Sequence, residues 1–341
     1  MSSQSTAAGP VATPEIFESR KMSTGSGKHI LVVDWVSDSF DDEKKLFGQA
    51  GHSVAISGVD HAQSIEQKKE TLIEAIHTQP RIDVLMFCIA PIDQEVIDLL
   101  PDTCGLLQRV GTGLDNVDLN RASERGMEVR NTPNYCVEEV AVHAMSMLLS
   151  LHRQLSATQQ NILGGGWSGK TPKPVHRLST QTLGIMGFGR IGRRLGQWMR
   201  PLVSKVIYWD ELTADSYDWA EQVTLDELLA EADLISLHLP LTPQTRGIIG
   251  SDSLAKMKET ALLVNAARGA LVDAAHLAVA LNNDRLGGAG LDVFDPEILP
   301  DDSPLRTAKN IILTSHTAWY SEDSIQDSKK EATQSVLEFL G

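Results

Sequence analysis

Three polar side chains follow apolar, strand-like segments in the second half of the chain, and their types form a working chemical set. Arg268 ends the run L-V-N-A-A-R, Glu297 closes L-D-V-F-D-P-E, and His316 follows I-L-T-S. An arginine presents a planar fork of N–H donors that grips a carboxylate through paired, charge-assisted hydrogen bonds. A histidine is the side chain suited to deliver a proton near neutrality, here to a carbonyl oxygen that gains negative charge. A glutamate beside the imidazole fixes its tautomer and favours its protonated form. The set suits a carbonyl next to a carboxylate. Singly, each residue has an ordinary alternative: a surface Arg, a helix-capping Glu, a core His. Their placement on three successive strand ends, behind a nucleotide fingerprint, favours chemistry.

That fingerprint is G-F-G-R-I-G, with Gly187, Gly189 and Gly192, after the strand-like T-L-G-I-M and before a helical stretch. Gly187 permits the tight turn, Gly189 lets backbone approach a pyrophosphate, and Gly192 allows close helix packing. Amides at the helix N-terminus then face phosphate. The next strand-like segment, K-V-I-Y-W-D, ends in Asp210, which can bond both ribose hydroxyls and would repel a 2′-phosphate. NAD is therefore expected rather than NADP, and Asp292 is expected to bond the nicotinamide carboxamide. With NAD as the hydride partner, the three polar residues read as an oxidoreductase acting on a 2-keto acid and its 2-hydroxy acid.

Positioning these residues requires two α/β units. From His29, β-branched runs alternate with helical stretches: strands at His29–Trp35, Ser53–Ser57, Asp83–Cys88 and Leu106–Val110, helices near Asp41–Ala50, Ala62–His77 and Gln94–Leu100. Continuous apolar strands alternating with helices predict a parallel sheet covered on both faces. A helix over Val137–Leu155 has no clean polar face, so it is expected to be buried on several sides. From Thr182 a second alternation predicts six strands: Thr182–Gly187, Lys205–Asp210, Asp233–Leu239, Ala261–Asn265, Gly288–Val293 and Ile311–Ser315. Helices lie between them near Ile191–Leu202, Leu225–Ala232, Ser253–Met257 and Asp273–Asn282, and a last one spans Ser324–Leu340. The fold class is α/β, two doubly wound parallel-sheet units. In such sheets ligands bind beyond the carboxyl ends of the strands, where Arg268, Glu297 and His316 fall.

Composition narrows the class. Forty-five Asp and Glu against 30 Lys and Arg give a formal charge of −15, which repels phosphate backbones and argues against direct nucleic-acid binding. No apolar run is long enough to span a membrane. Cys88, Cys104 and Cys136 are too few for a disulfide framework and lack metal-ligand spacing, so a reducing cytoplasm is expected and no metal. Residues 1–27, rich in Ser, Thr, Ala and Gly, read as a disordered extension, and Met1 and Met22 both remain open as starts.

The motifs together resemble the D-isomer-specific 2-hydroxyacid dehydrogenase family from about residue 29 to 337. The resemblance rests on G-F-G-R-I-G-R, H-L-P-L-T-P-Q-T-R-G (238–247), N-A-A-R-G-A-L-V-D (265–273) and the segment from Gly290 to Glu297. V-G-T-G-L-D-N-V-D, N-T-P-N-Y-C-V-E-E-V and H-T-A-W-Y-S-E resemble the branch of C-terminal binding proteins and their bacterial dehydrogenase relatives. The resemblance implies an NAD-dependent D-2-hydroxyacid dehydrogenase with Arg268, Glu297 and His316 as catalytic set. It implies cofactor contacts at Arg190, Ile191, Asp210, Leu239, Pro240, Thr245, Ala266, Ala267, Arg268 and Asp292, besides the fingerprint glycines. It implies that backbone amides of Gly111, Thr112, Gly113 and Leu114 meet the substrate carboxylate. It further implies a flavodoxin-like substrate domain (28–131) completed by a returning C-terminal helix (317–341), a Rossmann NAD-binding domain between them (132–316), and a homodimer joined through the cofactor domains and the long helix.

Some positions depart from the family pattern. Ile298 follows Glu297 where many members have Pro, Ser315 precedes His316 where Pro is usual, and Val142 replaces an acidic residue before His143. No feedback-control domain is expected after the last helix. Trp319 either lines the substrate pocket or packs structurally, and Tyr135 has the same two readings. Arg109 either assists an anionic substrate or is a satisfied strand-end Arg. His143 reads as a core histidine, and Asp115 and Asn116 as residues that shape the loop after Gly113. The rival function is an NAD(H)-responsive binding protein, corepressor-like, with incidental catalysis. Turnover of NADH with a small 2-keto acid discriminates the two.

Overall fold

The computed structural model describes residues 27–35, 39–59, 63–212 and 216–341. The expected disorder of the first residues therefore falls outside the described residues, apart from Gly27, as does Ala62 at the start of the second expected helix.

Two parallel sheets are built by the two alternations. The first comprises β1 (His29–Val32), β2 (Ser53–Ile56), β3 (Val84–Phe87), β4 (Leu106–Arg109) and β5 (Glu128–Arg130), in the order β2-β1-β3-β4-β5. That order is flavodoxin-like. The second comprises β6 (Thr182–Met186), β7 (Lys205–Trp209), β8 (Glu221–Gln222), β9 (Leu234–Leu237), β10 (Leu262–Asn265), β11 (Gly288–Leu291) and β12 (Ile311–Leu313). Its order is β12-β11-β10-β9-β6-β7-β8, with every neighbour parallel. β3, β9, β10 and β11 are buried at every residue, because helices cover both faces of each sheet.

The structure adds elements to the expected set. β5 carries two charged residues in three and β8 is Glu-Gln, so neither shows an apolar run, and both lie at sheet edges. The second unit thus has seven strands where six were expected. The long helix ends at His152, because Gln154 takes a left-handed backbone (φ +51°), and the chain resumes as a separate helix, Leu155–Leu163. Among the described residues, a short helix at Leu119–Glu124 is also new.

The last helix, Glu322–Leu340, returns to the first sheet. Its Ala332 and Val336 are fully buried with Ile30, Val32, Phe47, Val84 and Met86. Ser335 accepts through its carbonyl from Arg130 and donates through its hydroxyl to Gln108 (2.8 and 2.6 Å). At its start Ser321 caps the helix by accepting from the Ser324 amide and donates to Glu139 of the long helix (2.8 and 2.7 Å). One helix is thereby bonded to both units.

Candidate active site

Each fingerprint glycine meets a distinct physical demand. Gly187 has φ +92°, and a Cβ there would lie 2.6 Å from the His238 carbonyl. Gly192 packs so closely that a Cβ would collide with the Gly187 carbonyl. At Gly189, the N-cap of the helix Arg190–Met199, the place a Cβ would take is open, with nothing within 4 Å. That opening at a helix N-terminus is the cradle a pyrophosphate needs. Asp210 stands at the end of the neighbouring strand β7, its carboxylate accepting from the Phe188 and Leu212 amides (2.6 and 2.8 Å). The residues present therefore fit a dinucleotide.

The other expected cofactor residues line the same strand ends. Arg190 is exposed at the helix start and Ile191 half-buried behind it. After β9, Leu239 is buried and Pro240 exposed, and the Thr245 hydroxyl donates to the Pro240 carbonyl (2.7 Å), closing that turn. After β10, the fully buried Asn265 braces the N-A-A-R turn from both sides, accepting from the Ala267 amide and donating to the Arg268 carbonyl (3.0 and 2.8 Å). Ala266 and Ile191 pack with Cys136, Val140, Ala318, Tyr135 and Trp319 in one apolar cluster. Burial pushes the Cys136 thiol up to about 11, so this wall offers no thiolate.

Asp292 also braces the catalytic loop. It is fully buried, and its carboxylate accepts from the Thr314 hydroxyl and the Thr317 and Ala318 amides (2.5, 2.9 and 2.9 Å). Its carbonyl accepts from the His316 amide (2.7 Å). The carboxylate expected to meet a nicotinamide carboxamide thus also holds the loop that carries His316, and its Oδ2, with the Ala318 amide as partner, keeps an acceptor site. His143 joins this network rather than a core: its side chain is partly exposed, and its Nε2 lies 3.0 Å from the Thr314 hydroxyl.

His316 sits just past β12 in a left-handed backbone (φ +54°), a conformation costing a non-glycine residue about 1–3 kcal/mol. Its Nδ1 lies 3.0 Å from the carboxylate of Glu297, which the loop after β11 supplies. A carboxylate only accepts, so Nδ1 carries a hydrogen and Nε2 is the position left for proton transfer. Gly269 lets the loop after β10, which carries Arg268, meet the loop after β11, since a Cβ there would overlap the Phe294 backbone.

Arg268 leaves the end of β10 and reaches the first unit. Its Nε donates to Asp115 (2.8 Å), one Nη donates to the Ala267 carbonyl (2.7 Å), and a Cβ at Gly113 would overlap the other Nη. Arg109 lies beneath the same loop, donating to the Cys88 carbonyl (3.1 Å) and to that of Gly113. It is thus a satisfied brace. A Cβ at Gly111 (φ +154°) would lie 3.1 Å from that guanidinium, closer than ordinary van der Waals contact. The amide of Gly111, expected to face a substrate carboxylate, donates here to the buried Thr132 hydroxyl (2.7 Å). Among the described residues, the amides of Thr112, Gly113 and Leu114 have no acceptor. Trp319 stands between Tyr135 and Tyr320, with ring centroids 6.4 and 5.8 Å away.

The sequence marked Asp115 only as a residue shaping the loop, not as a partner of Arg268, and did not mark Thr132, Asn265 or Thr314 as braces. Asp115 alone offered a signal, as a carboxylate beside a glycine loop in a chain whose arginine needs a partner. Thr132 meets Gly111 from 21 residues away with no pattern to announce it.

Comparison with known proteins identifies the class. The family described as "D-isomer specific 2-hydroxyacid dehydrogenase, NAD binding domain" matches residues 145–318. A glyoxylate reductase of Korarchaeum cryptofilum is 34% identical over 256 residues, 73% of this chain and 76% of that protein. A hydroxypyruvate reductase of Blautia hydrogenotrophica is 34% identical over 267 residues, 76% and 82% of the two chains. A solved D-lactate dehydrogenase of Aquifex aeolicus, complexed with NAD and lactic acid, aligns with TM-score 0.77 and 25% identity over 92% of this chain and 95% of that one. The chain belongs to the D-isomer-specific 2-hydroxyacid dehydrogenase family. It is an NAD-dependent oxidoreductase that interconverts a 2-keto acid and a 2-hydroxy acid. The binding-protein alternative receives no such support, and what is established is the family, not the branch of C-terminal binding proteins.

Proposed function

We propose that this enzyme reduces a small 2-keto acid to its D-2-hydroxy acid, with Arg268, Glu297 and His316 as the catalytic set. The observation that carries the reading is the 3.0 Å pairing of His316 Nδ1 with Glu297, on strand ends next to the one that bears Arg268. NADH, when bound, supplies the hydride. The fingerprint turn and Asp210 bind the dinucleotide, and the apolar cluster around Ile191, Ala266 and Trp319 borders the reacting end. Arg268 takes the substrate carboxylate in a two-pronged grip, helped by the amides of Thr112, Gly113 and Leu114. His316 gives a proton from Nε2 to the carbonyl oxygen as the adjacent carbon gains hydride, and Glu297 balances the charge on the ring. The substrates of the glyoxylate and hydroxypyruvate reductases favour a compact keto acid. A panel of 2-keto acids with NADH and NADPH tests this, and no turnover of any member would overturn it.

The domains follow as 28–131 with 317–341 for the substrate and 132–316 for NAD. The helix Leu155–Leu163 has no buried residue, and Leu155, Ile162, Leu163 and the 90%-exposed Trp167 face outward. An apolar surface of this kind fits a second copy of the chain, so the working form is a homodimer. Light scattering tests that assignment. Among the described residues no helix is long and apolar enough to cross a membrane, and a cytoplasmic site of action fits the free cysteines.

A further inference from the structure

We propose that Asp115 is a positioning residue for Arg268, holding the guanidinium by its Nε edge so that the Nη edge stays turned to the substrate carboxylate. The proposal rests on the reading of Arg268 as the carboxylate clamp. The two residues are 153 positions apart and belong to different sheets, yet Nε and the Asp115 carboxylate meet at 2.8 Å. A free arginine samples many rotamers, so an unheld fork is a poor clamp. Three contacts remove that freedom here: Asp115 on Nε, the Ala267 carbonyl on one Nη, and the bare Cα of Gly113 against the other. Two of the three come from the first unit, which also supplies the loop amides. The pair therefore aligns the two halves of the substrate site with each other.

Toward an anionic substrate, charge alone disfavours a carboxylate at this position. Burial raises the Asp115 pKa, but Arg268 and Arg109 outweigh it and hold the group below its ordinary value, hence ionised at neutral pH. An anion beside a site for an anion repels the substrate. Burial and the neighbouring Arg268 in turn draw the Arg109 pKa down, so two cations crowd one loop and Asp115 relieves them. If charge were all that mattered, removing Asp115 would strengthen substrate binding. If position matters more, removing it weakens the clamp. The two accounts differ in sign.

As a stability element the pair counts for little, because Asp115 is 42% exposed and solvent screens such a pair. The test is steady-state kinetics on the full enzyme with NADH and its best keto acid, for Asp115→Asn, Arg268→Lys and the double variant. Asp115→Asn should raise KM for the keto acid about tenfold and lower kcat several-fold. Its NADH affinity, read by fluorescence, and its Tm should stay near wild type. In the Arg268→Lys background the same change should alter kcat/KM less than about twofold, because the positioned group is gone. Asp115→Glu, which keeps the charge on a longer arm, should recover part of the loss. Asp115→Ser repeats the comparison with a smaller side chain if the amide disturbs the loop. A lower KM in Asp115→Asn, unchanged kinetics, or fully additive effects would each overturn the proposal. Near-normal activity of Arg268→Lys would instead remove the clamp itself. Impaired Arg268→Lys beside an unaffected Asp115→Asn would remove only the role of Asp115.

Discussion

The imidazole of His316 and the carboxylate of Glu297 meet at 3.0 Å although they come from the loops of two different strands, β12 and β11. The ring reaches that position from a left-handed backbone, pinned by its amide to the Asp292 carbonyl at 2.7 Å. Orientation is thus set twice, from the backbone by Asp292 and from the ring by Glu297.

Each half of that arrangement has a measurable consequence. His316→Ala removes the proton donor and should lower kcat about a hundredfold or more, the usual scale for positioned proton transfer. Glu297→Gln keeps the shape but can present its amide nitrogen to Nδ1, which admits the wrong tautomer, so kcat should fall at least about tenfold with little change in NADH affinity. Single-turnover rates with saturating NADH report both. A near-wild-type rate in His316→Ala would remove this mechanism.

Cofactor choice follows from Asp210. Two amides fix its carboxylate at the end of β7, where a 2′-phosphate would face a held negative charge. NADH should be preferred over NADPH by about tenfold or more in kcat/KM, equivalent to about 1.4 kcal/mol. Equal or better efficiency with NADPH would show that Asp210 does not select the cofactor.

Acid stability depends in part on His238. Burial lowers its pKa to about 4, and its Nε2 lies 2.9 Å from the Ser236 hydroxyl. An unfolded chain takes up that proton near about pH 6.5, so between those values the unfolded state binds more protons. The His238 contribution is complete above about pH 6.5 and is lost as pH falls toward about 4. His238→Asn, which does not titrate there, should therefore show a shallower fall in Tm between about pH 7 and 5. Parallel Tm curves for the two proteins would exclude the effect.

What could be read in the sequence was whatever leaves a local pattern. V-L-M-F, L-I-S-L and L-L-V-N are buried on both sheet faces and announce themselves as apolar runs. The glycines of the fingerprint were legible because each answers a steric demand within a few residues of itself. Arg268, Glu297 and His316 stood out because they break apolar segments at strand ends. Edge strands such as Glu221–Gln222 were not legible, since one flank and much of the surface are wet and need no apolar residue. The bracing groups were hidden for another reason. Asp115 and Arg268, Thr132 and Gly111, His143 and Thr314 are pairs made only when distant segments meet, and nothing local demands either partner. The bracing contacts of Asp292 were hidden on the same account, because its partners lie 22 to 26 residues on.

The return of the helix Glu322–Leu340 to the first sheet bears on how the protein is made. Ile30, Val32, Phe47 and Met86 leave the ribosome early, but Ala332 and Val336, which share their core, emerge only after the whole seven-stranded unit. The first unit to be synthesised is therefore the second to be completed, and one flank of its sheet waits bare while the dinucleotide-binding unit closes. A nascent chain in this state exposes apolar surface for as long as synthesis of the intervening segment lasts, which makes it a substrate for chaperones that bind such surfaces.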